Sequence, residues 1–541
     1  MRRWNGWGEE GVQYPLTASA AAFLAQALGQ GQPLPDARLA EVLASIPEAR
    51  LPPHPLISTE PMERLRHARG QSLPDWIALR SGHVPAFPDG VAWPNDEEDV
   101  RALLAFARRN SVHLIPYGGG TSVVGHINPS PGGAPALTID LTRLKRLIHL
   151  DETSRLAAFE AGAPGPEIEA QLRARGYTLG HFPQSFEYST LGGWIAARSS
   201  GQQSSHYGRI EDLFASGRVQ TPLGAMDLPP FPASAAGPDL RQMILGSEGR
   251  LGIITRATVR VRPIPQAESF HGAFFHVWAS GADAVRALAQ SHTPVSMLRL
   301  SDAPETEATL HLSGRDRLAA WADQGLRLAG YGPERCLLLF GVTGDRPTAE
   351  RTYREALEVI RAHGGLPVGS AVGEAWRKTR FRTPYLRNTL WERGYALDTL
   401  ETALPWSSVL TAAAAIRSAI VEAFAELGES VLALAHLSHA YADGASLYFT
   451  CLYHRADPDE TLRRWKILKA AASRAIVAQG GTISHQHGVG VDHAPYLAPE
   501  KGALGLALLE AARRALDPDG LMNPGKLIEA TEGSDVGTRV A

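Results

Sequence analysis

Three glycine-bearing stretches carry the clearest chemistry in the sequence. The first is Pro116-Tyr117-Gly118-Gly119-Gly120-Thr121-Ser122, which follows a short apolar run at 112–115. Glycine has no Cβ, so such a turn can take positive φ and bring backbone N–H groups close to an anion. A pyrophosphate is the obvious guest. The stretch lacks the Lys-Ser/Thr of a P-loop and is not a G-x-G-x-x-G opening a helix. Taken alone, it reads equally as a surface turn between strands. The second stretch is Gln184-Ser185-Phe186-Glu187-Tyr188-Ser189-Thr190, followed by Gly192-Gly193 and a run that includes Ala197, Arg198, Ser199 and Ser200. Its hydroxyl, amide and carboxylate groups suit a second wall for a polar, flat ligand. Ser189 or Thr190 equally suits a helix N-cap, and helix starts also bind anions. The third, Glu248-Gly249-Arg250-Leu251-Gly252-Ile253-Ile254, runs into a β-branched segment. It is either a glycine bulge at a strand start or a third part of the same site.

The elements that must position these loops follow from patterning. The helix expected at 100–107 has Asn95 or Asp96 as its cap and an acidic first turn, and it feeds a strand that enters the first loop. Strands are expected at 136–141, 147–150, 156–161 and 253–261, with helices at Ala18–Leu28 and 167–175. Mixed elements at short spacing indicate an α+β fold rather than a doubly wound sheet. Residues 266–475 alternate strands (337–342, 447–452) with amphipathic helices (282–290, 349–363) and read as a separate domain. A further helix is expected at 503–516. The resulting division is 1–80, 81–265, 266–475, 476–530 and a frayed end at 531–541.

Composition narrows the function classes. The chain has 541 residues, 44% apolar and 20% charged, which is room for two to four ordinary globular domains. A net charge of -3 gives no electrostatic reason to expect nucleic acid. Two cysteines, Cys336 and Cys451, form neither a disulfide framework nor a metal-type pair, so no metal site is expected. No secretory signal and no unbroken apolar run of membrane-spanning length is visible, and a cytoplasmic location is expected.

The three loops at these spacings, together with Asp517-Pro518 and Asn523-Pro524-Gly525-Lys526 near the end, resemble the vanillyl-alcohol-oxidase-like, PCMH-type FAD flavoproteins over residues 80–530. The resemblance implies a two-lobed PCMH-type FAD-binding domain, an α+β cap domain and helical N- and C-terminal segments. In such proteins the first loop holds the FAD pyrophosphate. Thr121 stands where members that attach FAD through this loop carry histidine, which implies non-covalent FAD. Within the family, Trp4-Asn5-Gly6-Trp7-Gly8, Tyr207-Gly208-Arg209 and Ser484-His485-Gln486-His487-Gly488 resemble the alkyldihydroxyacetonephosphate synthase branch.

That branch implies roles for particular side chains. Tyr448 would move a proton, once neighbouring cations or donors lower its ordinary pKa of ~10. His485 and His487 would act as acid/base groups, and a strand would point both to one face. Arg387 would clamp the substrate phosphate through its planar fork, and Arg299 would lie near the flavin. The implied reaction replaces the acyl group of acyl-dihydroxyacetone phosphate with a fatty alcohol, without net redox change, through proton loss at C1 and a flavin N5 adduct. It is a step of ether lipid synthesis. Two positions depart from the branch: Gln486 replaces the middle of three histidines, and Gln184 replaces an acidic residue. Glutamine holds a hydrogen bond but shuttles no proton.

The rival reading is an FAD-linked 2-hydroxyacid dehydrogenase or oxidase of the D-lactate or glycolate type. Those enzymes carry Gly-Asp-Gly-Asn-x-His where this chain has Asp443-Gly444-Ala445-Ser446-Leu447-Tyr448. A flavin-binding protein without turnover is a third. The expected partner is a small lipid or hydroxyacid. Peripheral membrane contact and a homodimer are compatible with all of this.

Overall fold

The computed structural model describes residues 1–312 and 324–528. The end at 531–541, expected to fray, lies outside the described residues.

The helix Glu97–Asn110 illustrates how local sequence sets the frame. Asp96 caps it by accepting from the amides of Glu98 and Asp99, Glu97 to Asp99 occupy its positive end, and Arg108 and Arg109 its negative end. Its apolar stripe, including Val100, Leu103, Leu104 and Ala107, is buried. The stripe packs on a four-stranded sheet ordered Ile57–Ser58, Gly90–Ala92, Ala136–Asp140, His113–Tyr117. The last two strands run parallel, and the strand His113–Tyr117 delivers the chain into the first glycine loop. A second, five-stranded antiparallel sheet is ordered Leu147–Asp151, Leu156–Glu160, Ile253–Arg260, Phe214–Thr221, Gly224–Leu228. Its central strand emerges from the third glycine loop.

The largest sheet has seven antiparallel strands. Their order is Leu366–Gly369, Ala267–Phe275, Cys336–Gly344, Val295–Ser301, Val431–Ala440, Gly444–His454, Tyr395–Pro405. Side chains alternate between its faces with period two. One face sends Leu298, Leu300, Ala435, Leu437, Leu447 and Phe449 into a core shared with the helices Trp278–Gln290, Arg346–Ala362 and Trp406–Ala425. The helix Trp406–Ala425 is long and apolar enough to cross a membrane by length and composition. In this fold Val409, Ala412, Ile416, Ile420 and Phe424 bury its inner stripe in that core. The other face of the sheet carries Arg299, His436 and Tyr448 and lines a cavity.

The N-terminal segment is built into this frame rather than trailing from it. Trp7 and Asn388 exchange backbone-to-amide hydrogen bonds of 3.2 and 2.9 Å. Trp7 also packs edge-on against Tyr188 and Tyr385, with ring centroids 5.5 and 6.5 Å apart. Gly8 sits at φ 81°, where a Cβ would meet the Tyr385 ring at 2.2 Å, so only glycine fits.

Candidate active site

A cavity of about 1080 Å³ runs between the glycine loops and the open face of the seven-stranded sheet. That is large even for a cofactor pocket. At one end it is walled by Pro116 to Ser122, Ser189, Thr190, Gly192, Gly193, Gly249 and Gly252. The first two loops touch backbone to backbone, since a Cβ on Gly119 would lie 1.9 Å from the Tyr188 carbonyl oxygen. Among the described residues, no protein group accepts from the amides of Gly118, Gly119, Gly120 or Thr121. A run of donors without protein partners on a cavity wall fits a phosphate-bearing ligand. Thr190 also caps the helix Leu191–Ala197, accepting from the Gly193 amide, so cap and wall are the same residue. Gln184, Ser185, Ala197, Ser199, Ser200 and Ile254 lie on the wall as well.

Other residues assigned to the cofactor from sequence do not line the cavity, and their side chains have partners elsewhere in the protein. Phe186 stacks on Phe381 with centroids 5.1 Å apart. Glu187 accepts from the Tyr385 hydroxyl at 2.9 Å, and Tyr188 lies under the Arg2 guanidinium at 4.6 Å. Arg198 pairs with Glu211 at 3.7 Å, and Arg250 donates to the Met522 carbonyl at 2.7 Å. Leu251 and Ile253 are core residues. Glu248 reaches the cavity edge, but its carboxylate accepts from the amides of Val489 and Gly490 at 2.5 and 2.8 Å and faces His126 at 3.1 Å. It clamps the histidine-bearing segment onto the third loop.

The middle of the cavity holds the titratable groups. Register places Glu401, Tyr448 and His436 side by side across three neighbouring strands. The Tyr448 ring stacks on His436, centroids 5.0 Å apart at 19°, and meets His487 edge-on at 5.6 Å. Burial pushes the Tyr448 phenol well above its ordinary pKa, Glu401 and Asp398 add to this, and a hydrogen bond with Thr399 opposes it. The sequence reading required the opposite shift. Burial drives the rise, and the carboxylate on the neighbouring strand, 47 positions away in sequence, adds to it.

The two histidines separate. His487 lines the cavity, with Nδ1 at 3.6 Å from a Glu401 oxygen. Burial lowers its pKa and Glu401 opposes the fall. His485 does not line the cavity. Its Nε2 is contacted at 2.6 Å by both Arg209 and the Tyr441 hydroxyl, and burial next to His439 and Arg209 holds its pKa well down. In this structure it is a buried, neutral anchor for the loop. Glu401 completes the anchor by accepting from the Gln486 and His487 amides at 2.6 Å each. Gln486 lines the cavity, and its Oε1 is buried. Gln184 donates to the Arg380 carbonyl at 2.5 Å.

The cations also differ from one another. Arg299 is committed to Glu305 at 2.9 Å. Arg387 is half-buried, lies over the Trp76 ring at 4.4 Å, and donates to the carbonyls of Gln71 and Leu397 at 2.6 and 3.3 Å. Burial lowers its pKa to about 10, so it stays charged. No ion pair to it occurs among the described residues, and it lines the cavity, as an anion site requires. Beyond these groups the cavity turns apolar, walled by Met297, Leu337, Leu339, Leu432, Leu434 and Leu452 from the sheet and by Phe23 and Leu24.

Sequence reasoning missed Glu401, His436 and Glu305. The available signal was a lone polar residue at a regular inward position: His436 follows Leu432 and Leu434 on alternate positions of an apolar strand.

Comparison with known proteins agrees with this geometry. The model of an FAD binding domain matches residues 88–226, and that of the C-terminal domain of FAD linked oxidases matches residues 264–527. Alkyldihydroxyacetonephosphate synthase of Dictyostelium discoideum is 31% identical over 479 residues, spanning 87% of this chain and 78% of that protein. A solved structure of an alkyldihydroxyacetonephosphate synthase superposes with a TM-score of 0.84 at 28% identity, covering 97% of this chain and 99% of that one. The mitochondrial cytochrome-type D-lactate dehydrogenase of Arabidopsis thaliana is 28% identical over 445 residues, 82% of this chain and 73% of that protein. The chain is an FAD-dependent enzyme, and it belongs to the alkyldihydroxyacetonephosphate synthase family of flavoproteins.

Proposed function

We propose that the enzyme exchanges the acyl group of an acyl-dihydroxyacetone phosphate for a long-chain alcohol, giving the ether without net redox change. One observation carries this reading: a single cavity joins an unpaired arginine, a cluster of proton-transfer groups and an apolar arm. Arg387 receives the phosphate. The leucine-lined arm takes the acyl chain, then the alkyl chain. Tyr448, His487 and His436 surround the carbon between them.

The amides of Gly118 to Thr121 would hold the FAD pyrophosphate, and FAD when bound supplies the electron sink beside C1. Thr121 offers no nucleophile comparable to histidine, so the flavin is held non-covalently and acid precipitation releases it. Tyr448 enters the reaction as a neutral phenol, a hydrogen-bond donor to the substrate ketone or leaving carboxylate. His487 and Gln486 close the site. Glutamine in the middle position donates and accepts without titrating, so proton movement falls to the remaining groups.

The test mixes the purified FAD-loaded protein anaerobically with palmitoyl-dihydroxyacetone phosphate and hexadecanol, and separately with D-lactate and glycolate. Ether product with the flavin still oxidised is expected. Flavin bleaching by a hydroxyacid, with no ether formed, sinks the proposal in favour of a dehydrogenase.

A further inference from the structure

His436 lies outside the glycine loops and the Ser484 to Gly490 stretch, yet its imidazole lines the cavity and is held by a carboxylate. Its Nδ1 lies 2.9 Å from Glu305 Oε1. Glu305 is fixed from two further sides: Arg299 donates to the same oxygen at 2.9 Å, and the Glu305 amide donates to Asp302 at 2.7 Å. Asp302 in turn accepts from the Ala435 amide at 3.1 Å and pairs with Arg417. The strand bearing His436 and the helix Ala303–Leu312 bearing Glu305 are thus locked together by a buried ionic layer. With Nδ1–H given to Glu305, the neutral ring presents Nε2, which has no protein partner among the described residues and opens on the cavity. His487, by contrast, has its Nδ1 buried without a hydrogen bond.

We propose that His436, oriented by Glu305, is the general base that removes the C1 proton of the substrate, and that it returns a proton to C1 when the exchange is complete. The assignment rests on the exchange reaction proposed above. The C1–H bond breaks, the proton goes to Nε2, and the electron pair is delocalised into the adjacent ketone as an enolate. The imidazolium is stabilised at Nδ1 by the Glu305 carboxylate. The later step reverses this transfer, so no proton is gained or lost at C1, and the alcohol O–H proton leaves with the displaced carboxylate. The Nε2 proton equilibrates with water, and one C1 hydrogen of the product therefore comes from solvent. Tyr448, stacked on the ring, keeps Nε2 aimed into the cavity and donates its own proton elsewhere.

The groups that face His436 are Glu305 and Arg299 at Nδ1, Tyr448 on its face and Glu401 one strand further. Burial lowers its pKa, Arg299 lowers it further, and Glu305 and Glu401 oppose this. The ring is neutral at pH 7, as a base must be.

The experiment compares wild type, His436→Gln and Glu305→Gln, each loaded with FAD. His436→Gln is expected to retain the flavin and KM, to lose about 10²- to 10⁴-fold in kcat, and to stop incorporating deuterium at C1 in D2O. Glu305→Gln removes the supporting charge. It is expected to lower the His436 pKa read by ¹³C-histidine NMR, and to move the acid limb of kcat/KM to lower pH by the same amount. Undiminished C1 deuterium incorporation in His436→Gln overturns the assignment. So does an NMR shift in Glu305→Gln that the rate profile does not follow. Failure of the exchange reaction itself is seen separately, as wild type that forms no ether. C1 exchange of the acyl ester in D2O then still reports the base.

Discussion

At the residue scale, Tyr448 acts as a donor and Arg387 as an anchor, and the two should fail differently. Tyr448→Phe keeps the ring stack on His436 and removes only the hydroxyl. It should bind substrate normally and lose about 10²-fold or more in kcat, read in steady state with flavin content checked by absorbance. Arg387→Met removes a charge-assisted donor pair worth about 1.5–3 kcal/mol. It should raise KM for the phosphate ester by roughly 10- to 150-fold while leaving the flavin spectrum unchanged. The sequence displayed the glycine loops plainly, because each is contiguous and needs only local chemistry to be recognised. It displayed Tyr448 but not its protonation, because that is set mainly by burial in the folded sheet, with Glu401 and Asp398 of another strand adding to it. His485 and His487 look alike in sequence. Only the fold shows that Arg209 and Tyr441 occupy one of them.

At the scale of elements, the loop Ser484 to Gly490 is suspended from two carboxylates, Glu401 and Glu248, which accept four of its amides. A loop held this way keeps His487 in place without apolar packing of its own. The N-terminal Trp7 performs the same service for the helix Thr383–Glu392, which bears Arg387. Trp7→Ala should cost about 3–5 kcal/mol, as large core truncations do. Thermal unfolding should show this as a lower Tm, together with a higher KM for the phosphate ester. Equal losses in binding of a phosphate-free ester would argue against this link. Element types were legible where the period was long and capped, as in Ala18–Leu28 and Glu97–Asn110. The helix expected at 282–290 instead begins at Trp278 with no side-chain cap, so no start signal was there to be read. The order of the seven strands was not legible at all, since pairing of Val431–Ala440 between Val295–Ser301 and Gly444–His454 is a long-range choice.

At the scale of the whole molecule, buried histidines make the fold sensitive to acid. Burial, with Arg209 nearby, holds both His181 and His439 at about 3. In the unfolded chain they titrate near ~6.5. Between those values the unfolded state binds more protons, so stability is full above about pH 6.5 and falls as pH drops toward 3, by up to ~1.4 kcal/mol per unit per group. Tm measured against pH should therefore decline below about 6.5, and His439→Gln should flatten that decline. The seven-stranded sheet ties the parts into one functional surface: polar at the end where Arg299, His436 and Tyr448 lie, apolar where Met297, Leu434 and Leu452 lie. That gradient runs along strands distant in sequence, so it became visible only when their register was known.

The central claim is that the alcohol replaces the whole acyloxy group at C1. The most direct measurement supplies [¹⁸O]hexadecanol with palmitoyl-dihydroxyacetone phosphate and follows the label by mass spectrometry. The expected result is ¹⁸O in the ether oxygen of the product, with the released palmitate unlabelled. Label recovered in a palmitate ester, or no ether at all, would contradict it.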